Sequence, residues 1–177
     1  MLAIIAAMAL AAQGDGAPEW IGRAELPGFI EGHRVERPHG MIVEWVPEGE
    51  TVRNWTRIVT VQRFGEAATR TRPRDVIGNM AEGLGASCPD GVAGEVETLR
   101  VSGRPAARFR ADCPLNPGTG LPETLFALAI AGERDIHMLQ VAFRHVPTAD
   151  EESWAETYLA SAVLCTNTRV EPVCENR

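Results

Sequence analysis

The chain has 177 residues, 45% of them hydrophobic and 23% charged, the proportions of one ordinary globular domain. All 17 basic side chains are arginine, set against 24 acidic ones, for a net charge of −7. The missing lysine excludes Schiff-base chemistry and a P-loop, and the acidic balance excludes a general nucleic-acid binder, which needs a basic face.

The first twelve residues, Met1 to Ala12, are apolar without a break. That run is shorter than the roughly 20 residues of a membrane span and fits the apolar core of an export signal. Ala9-Leu10-Ala11 and Leu10-Ala11-Ala12 offer small residues for cleavage ahead of polar Gln13, Gly14 and Asp15, although no arginine precedes the run. No cysteine stands at the cleavage point. The expectation is an exported protein, periplasmic or extracellular, with residues 1–12 as signal and no membrane span once it is removed. Residues 13–27 are rich in Gly, Pro and Ala and read as an irregular lead-in, tethered by Trp20 and Ile21. Residues 28–177 read as a single domain closed by a disulfide-bonded tail.

Within it the spacing predicts strands over 29–35, 41–46 and 55–64, the last rich in β-branched and aromatic residues. Met41, Val43 and Trp45 share a face, yet Ile42 and Val46 are also apolar, so both sides of this strand can be covered. A helix follows, with Thr71 as cap, Pro73 in its first turn and Val76, Ile77, Met80 and Leu84 on one face. Gly83 and Gly85 are expected to end it. Strands over 94–101 and 105–113 flank Ser102-Gly103, a tight hairpin turn. A long loop over 114–122 leads to apolar strands at 123–131 and 136–145. Thr148 and Glu151 make a capping box for a last helix, whose face takes in Trp154, Tyr158, Ala162 and Cys165. This order gives an α+β domain: a mainly antiparallel sheet of about six to seven strands with two packed helices.

Cys88, Cys113, Cys165 and Cys174 are even in number and lack any C-x-x-C pair, which favours disulfides over zinc. Three connectivities are open. Cys88–Cys113 with Cys165–Cys174 is preferred because each joins neighbouring segments, with chain-entropy contributions of about 3.5 and 2.7 kcal/mol.

Two stretches carry a resemblance. Glu50-Thr51-Val52-Arg53-Asn54-Trp55-Thr56 with Val59-Thr60-Val61-Gln62, and Gly120 to Phe126 with Gln140 to Arg144, resemble a pattern in an uncharacterised family of small exported bacterial proteins. That family implies no catalytic residues. In topology the element order resembles the PsbP-like α+β fold, and a fold does not fix a function.

Candidate chemistry is sparse. His33, His39 and Glu44 would form a metal or acid–base site only if separate segments bring them together, and their spacing matches no ligand motif. His137 and His145 share a strand face with Leu139, Val141 and Phe143 and read as partly buried, hydrogen-bonded residues. No G-x-S-x-G is present, which argues against a serine hydrolase elbow. Arg70, Arg72 and Arg74 stand at the positive end of the first helix, where an anion could bind. Trp55 and Arg57 form a ligand platform if exposed and core if buried. The reading that follows is a non-enzymatic binding or interaction module, without metal or cofactor, for an envelope protein or a small ligand. The alternative is an envelope hydrolase built on a His/Glu/Arg cluster.

Overall fold

The computed structural model describes residues 18–167 and 172–175, so the expected export signal lies outside the described residues. β2 (Phe29–Arg37), β3 (Gly40–Pro47) and β4 (Arg57–Phe64) form an antiparallel meander. A 3₁₀ turn leads into helix α1 (Pro73–Ser87). Short β5 (Val92–Ala93) and β6 (Glu97–Val101) both pair with long β7 (Arg104–Asn116). β8 (Leu121–Ala131) and β9 (Ile136–Phe143) complete a sheet ordered β2-β3-β4-β9-β8-β7-β5, with β6 also on β7. Helix α2 (Ala149–Ala160) follows, then β10 (Val163–Thr166). β10 pairs with β1 (Glu19–Gly22), a strand inside the segment expected to be irregular. The fold is thus α+β, with two helices on a mostly antiparallel sheet.

The middle strands are buried on both faces. Phe126, Leu128 and Ile130 of β8 and Leu139, Val141 and Phe143 of β9 point one way, against Ala155, Tyr158 and Leu159 of α2. The alternate residues Ala127, Ala129 and Met138, with Ala107, Phe109 and Ala111 of β7, point the other way, against Ile77 of α1. Because side chains alternate along a strand, the helices lie on opposite faces.

Local signals hold where they are local. Glu151 N–H donates to the Thr148 hydroxyl at 3.3 Å and Thr148 N–H to the Glu151 carboxylate at 2.9 Å, completing the capping box. Ser102 and Gly103 both take positive φ, 53° and 77°, as a tight hairpin turn requires. Five expectations are corrected. Arg72, not Thr71, caps α1, and its N–H donates to Asp75 at 3.2 Å. The helix runs through Gly83 and Gly85 to Ser87, because Leu84 packs on the core and Cys88 is tied to Cys113, which together outweigh about 1 kcal/mol per glycine. β4 starts at Arg57, since Glu50 accepts both the backbone N–H and the hydroxyl of Thr56 and draws Trp55 out of line. The loop over 114–122 shrinks to a turn, with β7 reaching Asn116. The last helix stops at Ala160, so Ala162 lies past its end and Cys165 on β10.

Both disulfides follow the preferred pairing: Cys88–Cys113 with Cα atoms 5.9 Å apart and Cys165–Cys174 at 5.7 Å. The second holds the C-terminal turn over β1, where the Trp20 indole N–H donates to the Cys174 carbonyl at 3.0 Å. Gly22 sits beneath it. A Cβ at that position would lie 2.5 Å from Cys165 Sγ and 2.6 Å from the Val173 carbonyl oxygen. Gly22→Ala is therefore expected to lower stability by about 1–3 kcal/mol, the range for overpacking, read as a fall in the denaturant midpoint. An unchanged midpoint would mean that this small layer gives way freely. Peptide mapping of the unreduced protein should find the two bridges and no free thiol.

Candidate interaction surface

Helix α1 packs on β7 and β8. On the same face, β2, β3 and β4 extend beyond it. Residues directly opposite on antiparallel strands project to one side, so the register defines what this uncovered half presents. One row runs His33, Glu44, Thr60, Gln140 across β2, β3, β4 and β9. The next runs Val35, Ile42, Gln62. Beyond it Phe64, 36% exposed, stands beside the β2–β3 turn. Val35, Pro38, His39, Ile42, Gln62 and Phe64 line a shallow depression of about 660 Å3 there. At the opposite end, Val52 and Trp55 close over Val46, Ile58 and Ala142.

The sequence-predicted residues scatter. His33 and Glu44 do face each other, but His39 lies in the turn, roughly 20 Å along the strand at about 3.3 Å per residue. Neighbouring Arg34 projects to the other face and is held by Glu31 in two bonds of 2.9 and 2.7 Å. The His/Glu/Arg cluster required of a hydrolase is not assembled. Among the described residues no group of His, Cys, Asp or Glu is placed to hold a metal. Arg70, Arg72 and Arg74 are exposed and spread along the start of α1. Arg74 shares a groove with Asp75, Glu82 and Glu95, whose charges oppose an anion.

Trp55 is 8% exposed, so its ring is core, with the Arg144 guanidinium 4.0 Å above it. Arg57 lies on the opposite face of the sheet. Its guanidinium is 4.7 Å from the Trp154 ring centre and 5.4 Å from that of Phe29. The two do not form one platform.

His137 differs from its expected, hydrogen-bonded state. It is 2% exposed and its Nε2 has no hydrogen-bond partner. Burial pushes its pKa down to about 4; Asp135 opposes the shift and Arg63 adds to it. Burial alone would raise the Asp135 carboxyl, but the Glu66 N–H at 2.9 Å and Arg63 at 3.1 Å hold it below its ordinary value. His145 does find a partner, 3.2 Å from both Glu151 oxygens.

The uncovered half-face is what sequence reasoning missed. Its signal was present as polar Gln62 and Gln140 on otherwise apolar strands.

No family model matches the sequence, and no curated protein shows significant similarity to it. Solved structures do match. A point mutant of the protein Mog1 superposes with a TM-score of 0.52 at 12% identity, over 84% of this chain and 92% of that one. The Ran-binding protein Mog1p of Saccharomyces cerevisiae gives 0.48 at 13%, over 80% and 83%. The cyanobacterial PsbP of Synechocystis sp. PCC 6803 gives 0.48 at 10%, over 88% and 99%. What the Mog1 mutant shares with this chain is the fold.

The buried histidine sets a pH dependence. In the unfolded chain an ordinary histidine takes up its proton near pH 6.5, whereas folded His137 does so only near 4. Between those values the unfolded state binds the extra proton, so stability is full above pH 6.5 and falls as pH drops toward 4, by about 3 kcal/mol in total. Denaturation curves across this window should show that slope, and His137→Phe should flatten it. A slope that survives the substitution would place its source elsewhere.

Proposed function

We propose that this chain is an exported, non-enzymatic binding module that holds a partner protein on the uncovered half of its sheet. The observation carrying the reading is the mixed surface beyond α1, where half-buried Val35, Ile42 and exposed Phe64 border the half-buried polar side chains of Glu44, Gln62 and Gln140. An apolar centre with a polar border is the make-up of a protein interface. The depression is broad and shallow rather than enclosing, unlike a site that buries most of a small ligand. Export is supported by the apolar run from Met1 to Ala12 and by two disulfides, which persist in oxidising compartments. One structural match is named as Ran-binding; a likeness at that level is one of fold and carries no partner across. Arg70, Arg72 and Arg74 do not line this depression, and an anion there would be a separate contact.

A photo-crosslinking side chain at Gln62 should trap one discrete heterologous adduct in cells, and the same group at exposed Ser87 on α1 should trap none. Ile42→Arg should abolish the adduct while leaving the near-ultraviolet circular dichroism unchanged, since a central apolar contact is worth on the order of 2 kcal/mol. Equal adducts from both positions, or none from either, would defeat the reading. Turnover in a broad hydrolase panel, abolished by His33→Ala, would defeat its non-enzymatic part.

A further inference from the structure

The sheet ends on β2, and among the described residues no strand pairs with its outer edge. Seven of its nine residues are exposed, so the edge is long and open. An edge of this kind is a template for another strand, and sheets ordinarily blunt it with proline, charge, bulges or very short strands. β2 has no proline and is nine residues long, but it carries four charges and a bulge. Its charges are Glu31, Arg34, Glu36 and Arg37, two of each sign. The irregularity at Gly32 is confined to one end and leaves His33 to Arg37 regular.

Outward-pointing backbone groups occur at every second residue of an antiparallel edge. Two copies of β2 can therefore pair only with residues of like parity opposite each other. A register centred on Arg34 sets arginine against arginine, and one centred on Glu36 sets glutamate against glutamate. One centred on His33 sets Arg34 against Gly32. Centring on Val35 sets Arg34 opposite the other copy's Glu36, and does so twice. The two Val35 side chains then meet on the axis, and the depressions beside them, with Ile42 and Phe64, run into one apolar strip.

From this self-complementary edge we infer that a second copy of the chain docks antiparallel along β2, centred on Val35, joining two eight-stranded sheets into one. Reciprocal Arg34–Glu36 pairs fix the register, and the two Val35 side chains bury apolar area against each other on the axis. The dimer shares Val35 with the surface proposed for a partner, but it is tested on the purified protein alone, so its failure and the failure of that reading are distinguishable.

Sedimentation velocity of the purified, oxidised protein over a concentration series should show a monomer–dimer equilibrium that weakens with added salt. Arg34→Glu and Glu36→Arg should each raise the dimer Kd by roughly tenfold or more, since each change turns two attractive pairs repulsive. The double variant R34E/E36R should restore dimerisation, because the swapped charges again face each other. Glu31→Gln, which removes only the intrachain partner of Arg34, should leave the dimer intact. Val35→Cys should form an intermolecular disulfide, as opposed Cα atoms of such a pair lie about 4.5–5.5 Å apart, within bridging range. Ser87→Cys should not. A monomer at every concentration would overturn the inference, as would a dimer indifferent to Arg34→Glu or a double variant that fails to recover.

Discussion

The constraint on which the rest depends is that β8 and β9 are buried on both faces with unequal side chains. Toward α2 they present Phe126, Leu128, Ile130, Leu139, Val141 and Phe143, and toward α1 β8 presents Ala127 and Ala129. A register slip of one residue would exchange phenyl and isobutyl groups for methyls on each side. The bulky face sets the spacing of α2, and the alanine floor draws α1 close. A helix is about 10 Å across and strands lie about 4.8 Å apart, so one helix covers roughly two strands. Position α1 on β7 and β8, and the parts of β3 and β4 not closed over by Val52 and Trp55 are left without a helix on that side. On the other face Phe29, Trp45 and Trp154, together with the β1–β10 layer, spread the cover much further. The uncovered surface is thus a geometric consequence of one helix on a wide sheet, and its polar row keeps it compatible with water.

An all-arginine complement acquires meaning at the boundaries of this core. Arg23 lies 4.1 Å over Trp45, Arg57 4.7 Å over Trp154 and Arg144 4.0 Å over Trp55. A planar guanidinium stacks on a ring where an ammonium cannot. The Nε atoms of Arg57 and Arg144 are buried without partners, a cost that the stacking offsets. These arginines act as lids on aromatic side chains, which explains why Trp55 and Arg57 read alike as a platform in the sequence and serve as packing in the fold.

What the sequence revealed was what short stretches decide. The Thr148–Glu151 capping box, the Ser102–Gly103 turn and the pairing of Cys165 with Cys174 need only residues a few positions apart. The strand alternation over 105–113 also sufficed to place Cys113 beside the end of α1. The misreadings share one cause. Gly83 and Gly85 break an isolated helix, but a disulfide and a packed Leu84 carry α1 past them. The 13–27 segment looks irregular alone, yet Ile21 is buried because β10, more than a hundred residues away, supplies a partner strand. The His33, His39 and Glu44 grouping failed because His33 sits midway along β2 and His39 in the turn beyond its end, with extended chain between them. Which half of the sheet stays uncovered depends on where α1 lands, and no local pattern encodes that.

The two ends of the sheet are treated differently. At one end, β7 is thirteen residues long but is capped by β5 of two residues and β6 of five, offset along its length. Short edge strands offer little template for another chain. Cys113 of β7 is also stapled to the end of α1, so this border is fixed as well as blunted. At the other end β2 keeps an open edge, regular from His33 to Arg37, with charges of alternating sign. Charge on an edge repels a second copy only when the charges facing each other are alike. In β2 the spacing of Arg34 and Glu36 about Val35 makes them unlike in the register that also aligns the exposed apolar residues. A border that is blunted at one end and self-complementary at the other gives the sheet a single direction in which to grow, and growth in that direction closes after one addition because the two-fold uses up both edges.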